Sequence, residues 1–171
     1  MRFRNKFGMT ISNTLQTISF FFMINKATIE DSELLTNIAL RSKGYWGYSN
    51  EQIDSWRNDL AVTAKMIEEL LVYKFIQNHR IVGFYILNQP TKQSIELEML
   101  FVLPKFIRKG IGKKLLIHAF EKARKLNANN ITLLADPNAE VFYKSQGFII
   151  IDKKESSIPN RFLSIMQKDL I

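Results

Sequence analysis

Apolar and polar positions follow two periods along most of the chain, and the switches between them mark element boundaries. Residues 24–28 read as a short strand. Residues 31–42 place Leu34, Leu35, Ile38 and Ala39 at helical spacing, and a loop rich in glycine and aromatics follows over 43–48. Ser49 and Gln52 have the spacing of a capping box and predict a helix running to about Leu60. Thr63 caps a further short helix ending near Leu70. Three strands are predicted at 71–77, 80–87 and 94–102, with short connections that favour an antiparallel meander. Pro104 closes the third, because it has no N–H to give to a ladder. The clearest helix spans 112–126, with Leu115, Leu116, Ala119, Phe120 and Ala123 as its apolar stripe. A buried strand at 131–135, a helix at 139–145 closed by Gly147, and strands at 148–152 and 162–168 complete the chain. Strands and helices mixed in this order imply an α+β or mixed α/β fold rather than a doubly wound one.

The first 22 residues do not share this patterning. They carry Arg2, Arg4 and Lys6 without an acid, and their apolar stretch is broken by Ser12, Asn13, Thr14, Gln16, Thr17 and Ser19. A secretory signal needs an unbroken apolar stretch, so residues 1–22 read as a poorly ordered extension or as sequence upstream of the true start. Residues 23–171 then form a single domain, a size at which one core suffices. Hydrophobic residues make up 46% and charged residues 23%, as in ordinary globular proteins. No stretch reaches the roughly 18–20 apolar residues of a membrane span, so a cytoplasmic protein without membrane contact is expected. The absence of cysteine excludes disulfides and thiolate chemistry. His79 and His118, the only histidines, have no metal-ligand spacing and read as turn and packing residues, so no metal is expected.

The net charge of +8 points to an anionic partner. Its distribution narrows the choice, since no basic stripe interleaved with aromatics, as nucleic-acid binding would require, is present. The positive residues of the domain centre instead on one loop. After Pro104, Lys105-Phe106-Ile107-Arg108-Lys109 leads into Gly110-Ile111-Gly112, and the long helix starts at once. Free N–H groups at a helix start, the helix dipole and close backbone approach at glycines together suit a pyrophosphate. The loop lacks the third glycine of a dinucleotide fingerprint and the Gly-Lys-Ser/Thr of a Walker loop.

Leu100-Phe101-Val102-Leu103-Pro104 with Arg108-Lys109-Gly110-Ile111-Gly112-Lys113-Lys114-Leu115-Leu116 resembles motif A of the GNAT superfamily of acetyl-CoA-dependent N-acetyltransferases. Ala139-Glu140-Val141-Phe142-Tyr143-Lys144-Ser145-Gln146-Gly147-Phe148 resembles its motif B, in the right order and at about the right distance. Arg41-Ser42-Lys43, Trp46-Gly47-Tyr48-Ser49 and Ser157-Ile158-Pro159-Asn160-Arg161-Phe162 are similar to segments of one bacterial branch of the superfamily. Two positions depart from the pattern. Ile107 stands where Gln or Arg is usual, and Asp136 where motif B usually has Asn, with Asn138 nearby.

The resemblance implies a central, mostly antiparallel sheet with a splayed parallel pair, flanked by helices. It implies transfer of an acetyl group from acetyl-CoA to a primary amine by direct attack, in a monomer or homodimer. A non-catalytic acyl-CoA sensor is the alternative. The cofactor is expected against Leu100, Phe101, Val102, Ile107, Arg108, Lys109, Gly110, Ile111, Gly112, Lys113, Asn138 and Phe142. Tyr143 matches the tyrosine that reaches the CoA sulfur, or is a core aromatic beside Phe142. Alternation places Glu96, Glu98, Leu100 and Val102 on one strand face, and two acids there suggest a cleft with a general base. Alignment on Leu100 to Pro104 ranks Glu96 ahead of Glu98; the other reading leaves both solvated or paired with lysines. Tyr45, Trp46 and Tyr48 are expected on the acceptor side, or as packing for the adjoining helices.

Overall fold

A computed structural model describes residues 22–171 of the chain. The expected extension, apart from Phe22, lies outside the described residues. The elements run β1 (Phe22–Lys26), α1 (Ser32–Gly44), α2 (Asn50–Ser55), α3 (Ala64–Glu69), β2 (Leu71–Gln77), β3 (Arg80–Leu87), β4 (Ser94–Val102), α4 (Ile111–Lys125), β5 (Asn130–Ala135), α5 (Glu140–Ser145), β6 (Ile149–Glu155) and β7 (Phe162–Asp169). Ser49 and Gln52 form the reciprocal capping box expected of them. The helix they open stops at Ser55 rather than near Leu60; Trp56 to Leu60 continue as turns and bury Leu60 against α1 instead. In α1 the buried positions are Leu35, Ile38, Ala39 and Ser42, and Leu34 faces out.

One seven-stranded sheet has the order β1-β2-β3-β4-β5-β7-β6. Every neighbouring pair is antiparallel except β4 and β5. That parallel pair is short: Ser94 to Leu97 meet Asn130 to Leu133, and pairing then stops although β4 continues to Val102. The two strands splay, and a cleft opens where the ladder ends. Each face of the sheet carries its own core. Helix α4 lays Leu115, Leu116, Ala119, Phe120 and Ala123 on one face with Tyr85, Leu87 and Ile131, and Tyr143 and Phe148 join them from α5 and its exit. Helices α1 and α3 cover the other face over Val72, Phe84, Ile86 and Met99.

A bulge in β4 sets the site. Ile86 pairs with Met99 and the next residue, Leu87, pairs with Leu97, so Glu98 is one residue too many. An extra residue reverses which side of the strand faces which core. Ile95 and Leu97 before it, and Leu100 and Val102 after it, all face the α4 core, while Met99 joins the α1 core. The expectation that Glu96, Glu98, Leu100 and Val102 share one face is therefore corrected.

Candidate functional site

The loop between β4 and α4 combines a pre-shaped backbone with an unusual charge. Gly110 sits at φ +78° as the N-cap of α4, and Arg108 holds φ +63° without being glycine. The left-handed region costs a side-chain-bearing residue roughly 1–2 kcal/mol. The first amide of α4 taken up within the helix is that of Lys114, by the Gly110 carbonyl at 3.1 Å, so the amides of Ile111, Gly112 and Lys113 precede the intrahelical ladder. The first turn has no acidic residue and carries Lys113 and Lys114, against the sense of the helix dipole. At the other end Lys122, Arg124 and Lys125 complement it. Cations at both ends make sense if an anion is held at the N-terminus. Gly112 packs under α5: a Cβ there would meet Phe142 Cζ at 3.4 Å.

From this loop a cleft of about 1040 Å3 runs along β4 and α5 and out through the splay. Its walls include Leu100, Phe101 and Val102 on one side and Leu133, Phe142 and Tyr143 on the other. Past Leu97, β4 has no strand neighbour on the β5 side, so its backbone edge is exposed to whatever occupies the cleft. Tyr143 is 8% exposed, and burial pushes its phenol well above the usual value. Its hydroxyl has no hydrogen-bond partner among the described residues. No buried side-chain polar atom there lacks one, so the hydroxyl opens on the cleft. Glu98 lines the cleft at the bulge, whereas Glu96 does not. The Asn88 amide donates to both carboxylates, at 3.0 Å to Glu96 and 2.9 Å to Glu98, and fixes the pair.

Beyond the splay, Asp136 follows the end of β5 and gathers residues from two distant segments. Its carboxylate accepts from Lys43 Nζ at 2.5 Å, Arg161 Nη2 at 2.7 Å and the Tyr48 hydroxyl at 3.0 Å. The Asn138 amide N–H donates to it at 3.0 Å. Tyr48 Oη in turn accepts from Arg161 Nη2 at 2.6 Å and Asn138 Nδ2 at 3.1 Å. Lys43 and Arg161 both lie over the Tyr48 and Trp56 rings, and Trp56 Nε1 reaches Ser157 Oγ at 3.0 Å. Burial alone would raise the Asp136 pKa, but bonds from Lys43, Asn138 and Tyr48 outweigh it and hold the carboxyl below its ordinary range.

The family model described as the acetyltransferase (GNAT) domain matches residues 47–162, which is most of the chain. The chain belongs to this family. Its fold is thus that of the GNAT acetyltransferases. A curated relative, the uncharacterized N-acetyltransferase ycf52 of Gracilaria tenuistipitata var. liui, is 29% identical over 90 residues, 53% of this chain. The match spans half the length of that relative. Among solved structures, the PaiA N-acetyltransferase of Thermoplasma acidophilum, in complex with coenzyme A, aligns over 88% of this chain and 99% of its own at 25% identity and TM-score 0.76. The yncA protein of Salmonella typhimurium, solved with its cofactor acetyl-CoA, aligns over 88% and 95% at 17% identity and TM-score 0.64, which speaks to fold alone.

The GNAT cleft draws together most of the sequence-predicted residues: Leu100, Phe101, Val102, Ile107, Arg108, Gly110, Gly112, Lys113, Asn138, Phe142, Tyr143, Glu98 and Trp46. Lys109 and Ile111 belong to the same loop, but Ile111 is buried in the α4 core and the Lys109 ammonium lies over the Phe106 ring. Tyr45 is turned to solvent and packs edge-on against Trp46. Tyr48 works through Asp136. Sequence reasoning did not pick out Lys43, Trp56, Asp136 or Arg161 as site residues. The available signal was the substitution of Asp for Asn at 136 together with two basic segments similar to one branch, since a charge placed at the mouth of a cleft needs counter-charges.

Proposed function

We propose that this GNAT enzyme transfers the acetyl group of acetyl-CoA to a primary amine by direct attack. The observation that supports it most is the run of α4 amides from Ile111 to Lys113, flanked by Arg108 and Lys113 and opening into a cleft that Glu98 lines. The residues fit a diphosphate and its pantetheine arm. Gly110 and Gly112 let the backbone approach, and Ile107, lacking a polar side chain, leaves the contact to amides. The free edge of β4 past Leu97 offers N–H and C=O groups to an extended amide chain, as a sheet edge does to a peptide.

Acetyl-CoA supplies an activated acyl carbon. Glu98, oriented by Asn88, accepts the proton that the attacking ammonium must lose. A new N–C bond forms as the C–S bond breaks. Backbone N–H groups of β4 around Leu100 stabilise charge on the carbonyl oxygen. Tyr143 remains protonated throughout the physiological range and donates a hydrogen bond to the departing sulfur; its raised pKa suits that role better than full proton transfer.

The test is thiol release from acetyl-CoA over a broad amine panel. Wild-type protein is expected to release thiol with at least one amine. Glu98→Gln should then lower kcat about 10²- to 10⁴-fold with little change in the KM for acetyl-CoA. Glu96→Gln, which lies off the cleft, should lower it less. Tight CoA binding with no release for any amine would reject the enzymatic reading in favour of an acyl-CoA sensor.

A further inference from the structure

The Asp136 cluster holds one anion for two cations, so a net positive charge stands on the cleft wall beyond the catalytic end. Asp136 is fully engaged: one carboxylate oxygen takes both Asn138 donors and the other takes Lys43 and Arg161, with Tyr48 bridging the two. Arg161 is not. Only its Nη2 is used, on Tyr48 and Asp136. Its Nε and Nη1 groups have no partner among the described residues. Since no buried side-chain polar atom there lacks a partner, those groups reach solvent, and Arg161 lines the cleft.

Three features make this an organised subsite rather than a solvated charge. The side chains of Lys43 and Arg161 are each only 17% exposed. Both are held over the Tyr48 and Trp56 rings at 5.2–5.9 Å, so they are positioned before any ligand arrives. The other charged residues of the cleft on this side, Asp59, Glu98, Lys154 and Glu155, form no ion pair with either. Within the cluster the surplus of a single positive charge matches a single negative one, and a guanidinium with free N–H groups is a strong carboxylate donor.

We infer that Lys43 and Arg161 form an anion subsite, and that the acceptor is an amine carrying a carboxylate, the amine lying toward Glu98 and the carboxylate at Arg161. This rests on the acetyl-transfer reading for its amine half alone. Asp136 and Tyr48 act as positioning residues that hold the two cations side by side on the cleft wall.

Both tryptophans of the chain, Trp46 and Trp56, line this cleft, so intrinsic fluorescence reads occupancy without turnover. The full chain is titrated, with and without CoA, with ω-amino acids from β-alanine to 6-aminohexanoate, each against its own amide. At least one acid is expected to bind about tenfold or more tightly than its amide, with the preference weakened by added salt. Arg161→Gln should erase that preference and Arg161→Lys should retain part of it, thermal melts confirming that each variant is folded. Equal binding of acid and amide, or binding of neither, overturns the subsite. Thiol release with neutral amines under those outcomes would leave the acetyl-transfer reading standing. Acid-selective binding without thiol release from any amine would reject transfer and keep the subsite.

Discussion

Asp136 shows most plainly what a single residue decides here. A carboxylate with 16% of its side chain exposed is costly unless paired, and the Lys43 and Arg161 cations would be costly without it. Asp136→Asn keeps the shape and removes the charge. It should lower stability at neutral pH by roughly 2–4 kcal/mol, read by urea denaturation. The pH dependence gives a sharper check. The folded Asp136 pKa lies below its ordinary 3.8, so the folded form holds its proton less tightly than the unfolded chain. Its stabilisation is complete above that value and disappears as pH falls through the folded pKa. The gap between wild type and variant should therefore close on acidification below about pH 4. A gap that stays constant would mean that the lost stability is steric rather than ionic. None of this could be read along the chain, because Lys43, Tyr48 and Arg161 reach Asp136 from 93, 88 and 25 residues away. Gly110, in contrast, sits in a local pattern, a Gly-x-Gly at a helix start, and takes the left-handed N-cap conformation that pattern suggests, whereas Tyr143 was singled out only through the family resemblance.

Elements were easier to read than their irregularities. Strands β2, β3 and β4 and the stripe of α4 fall where the periodicity places them. The bulge at Glu98 leaves the composition of β4 unchanged and shows only in its register with β3, so strict alternation put Leu100 and Val102 on one face with Glu96 and Glu98. The shortening of α2 has a similar origin: its capping signal is local, while the choice to turn at Trp56 depends on what that side chain meets elsewhere. One glycine inside a strand did carry a structural signal. Gly83 of β3 lies where α4 crosses the sheet, and a Cβ there would stand 2.9 Å from the Phe101 carbonyl oxygen and 3.2 Å from Leu115 Cδ1. Backbone cannot yield as a side chain can. Gly83→Ala should therefore destabilise by about 1–3 kcal/mol, and by pushing α4 off β4 it should also weaken CoA binding. Unchanged stability and affinity would show that helix and sheet slide freely at this crossing.

At the scale of the molecule, the sheet is two blocks joined by a short seam. Strands β1 to β4 form one, and β5, β7 and β6 the other, with only Ser94 to Leu97 meeting Asn130 to Leu133 between them. The Asp136 cluster and the α4 core tie the blocks at either end, and the cleft lies along the unpaired stretch. A ligand seated there touches both: β4 and the Gly110 loop from one side, Phe142 and Tyr143 from the other. Its binding energy should therefore appear as cooperative stability of the whole chain. At a hundredfold excess over Kd, coenzyme A adds about 2.7 kcal/mol. For a chain of 171 residues that corresponds to an upward shift of about 5–10 °C in Tm. Gly110→Asp places a carboxylate where the diphosphate is proposed to rest and should abolish the shift while the unliganded variant still melts as one transition. Hydrogen exchange should show β4 and α5 protected together on addition of CoA. Protection of one block without the other would put the ligand outside the splay, and a full Tm shift in Gly110→Asp would remove the α4 amides as its anchor.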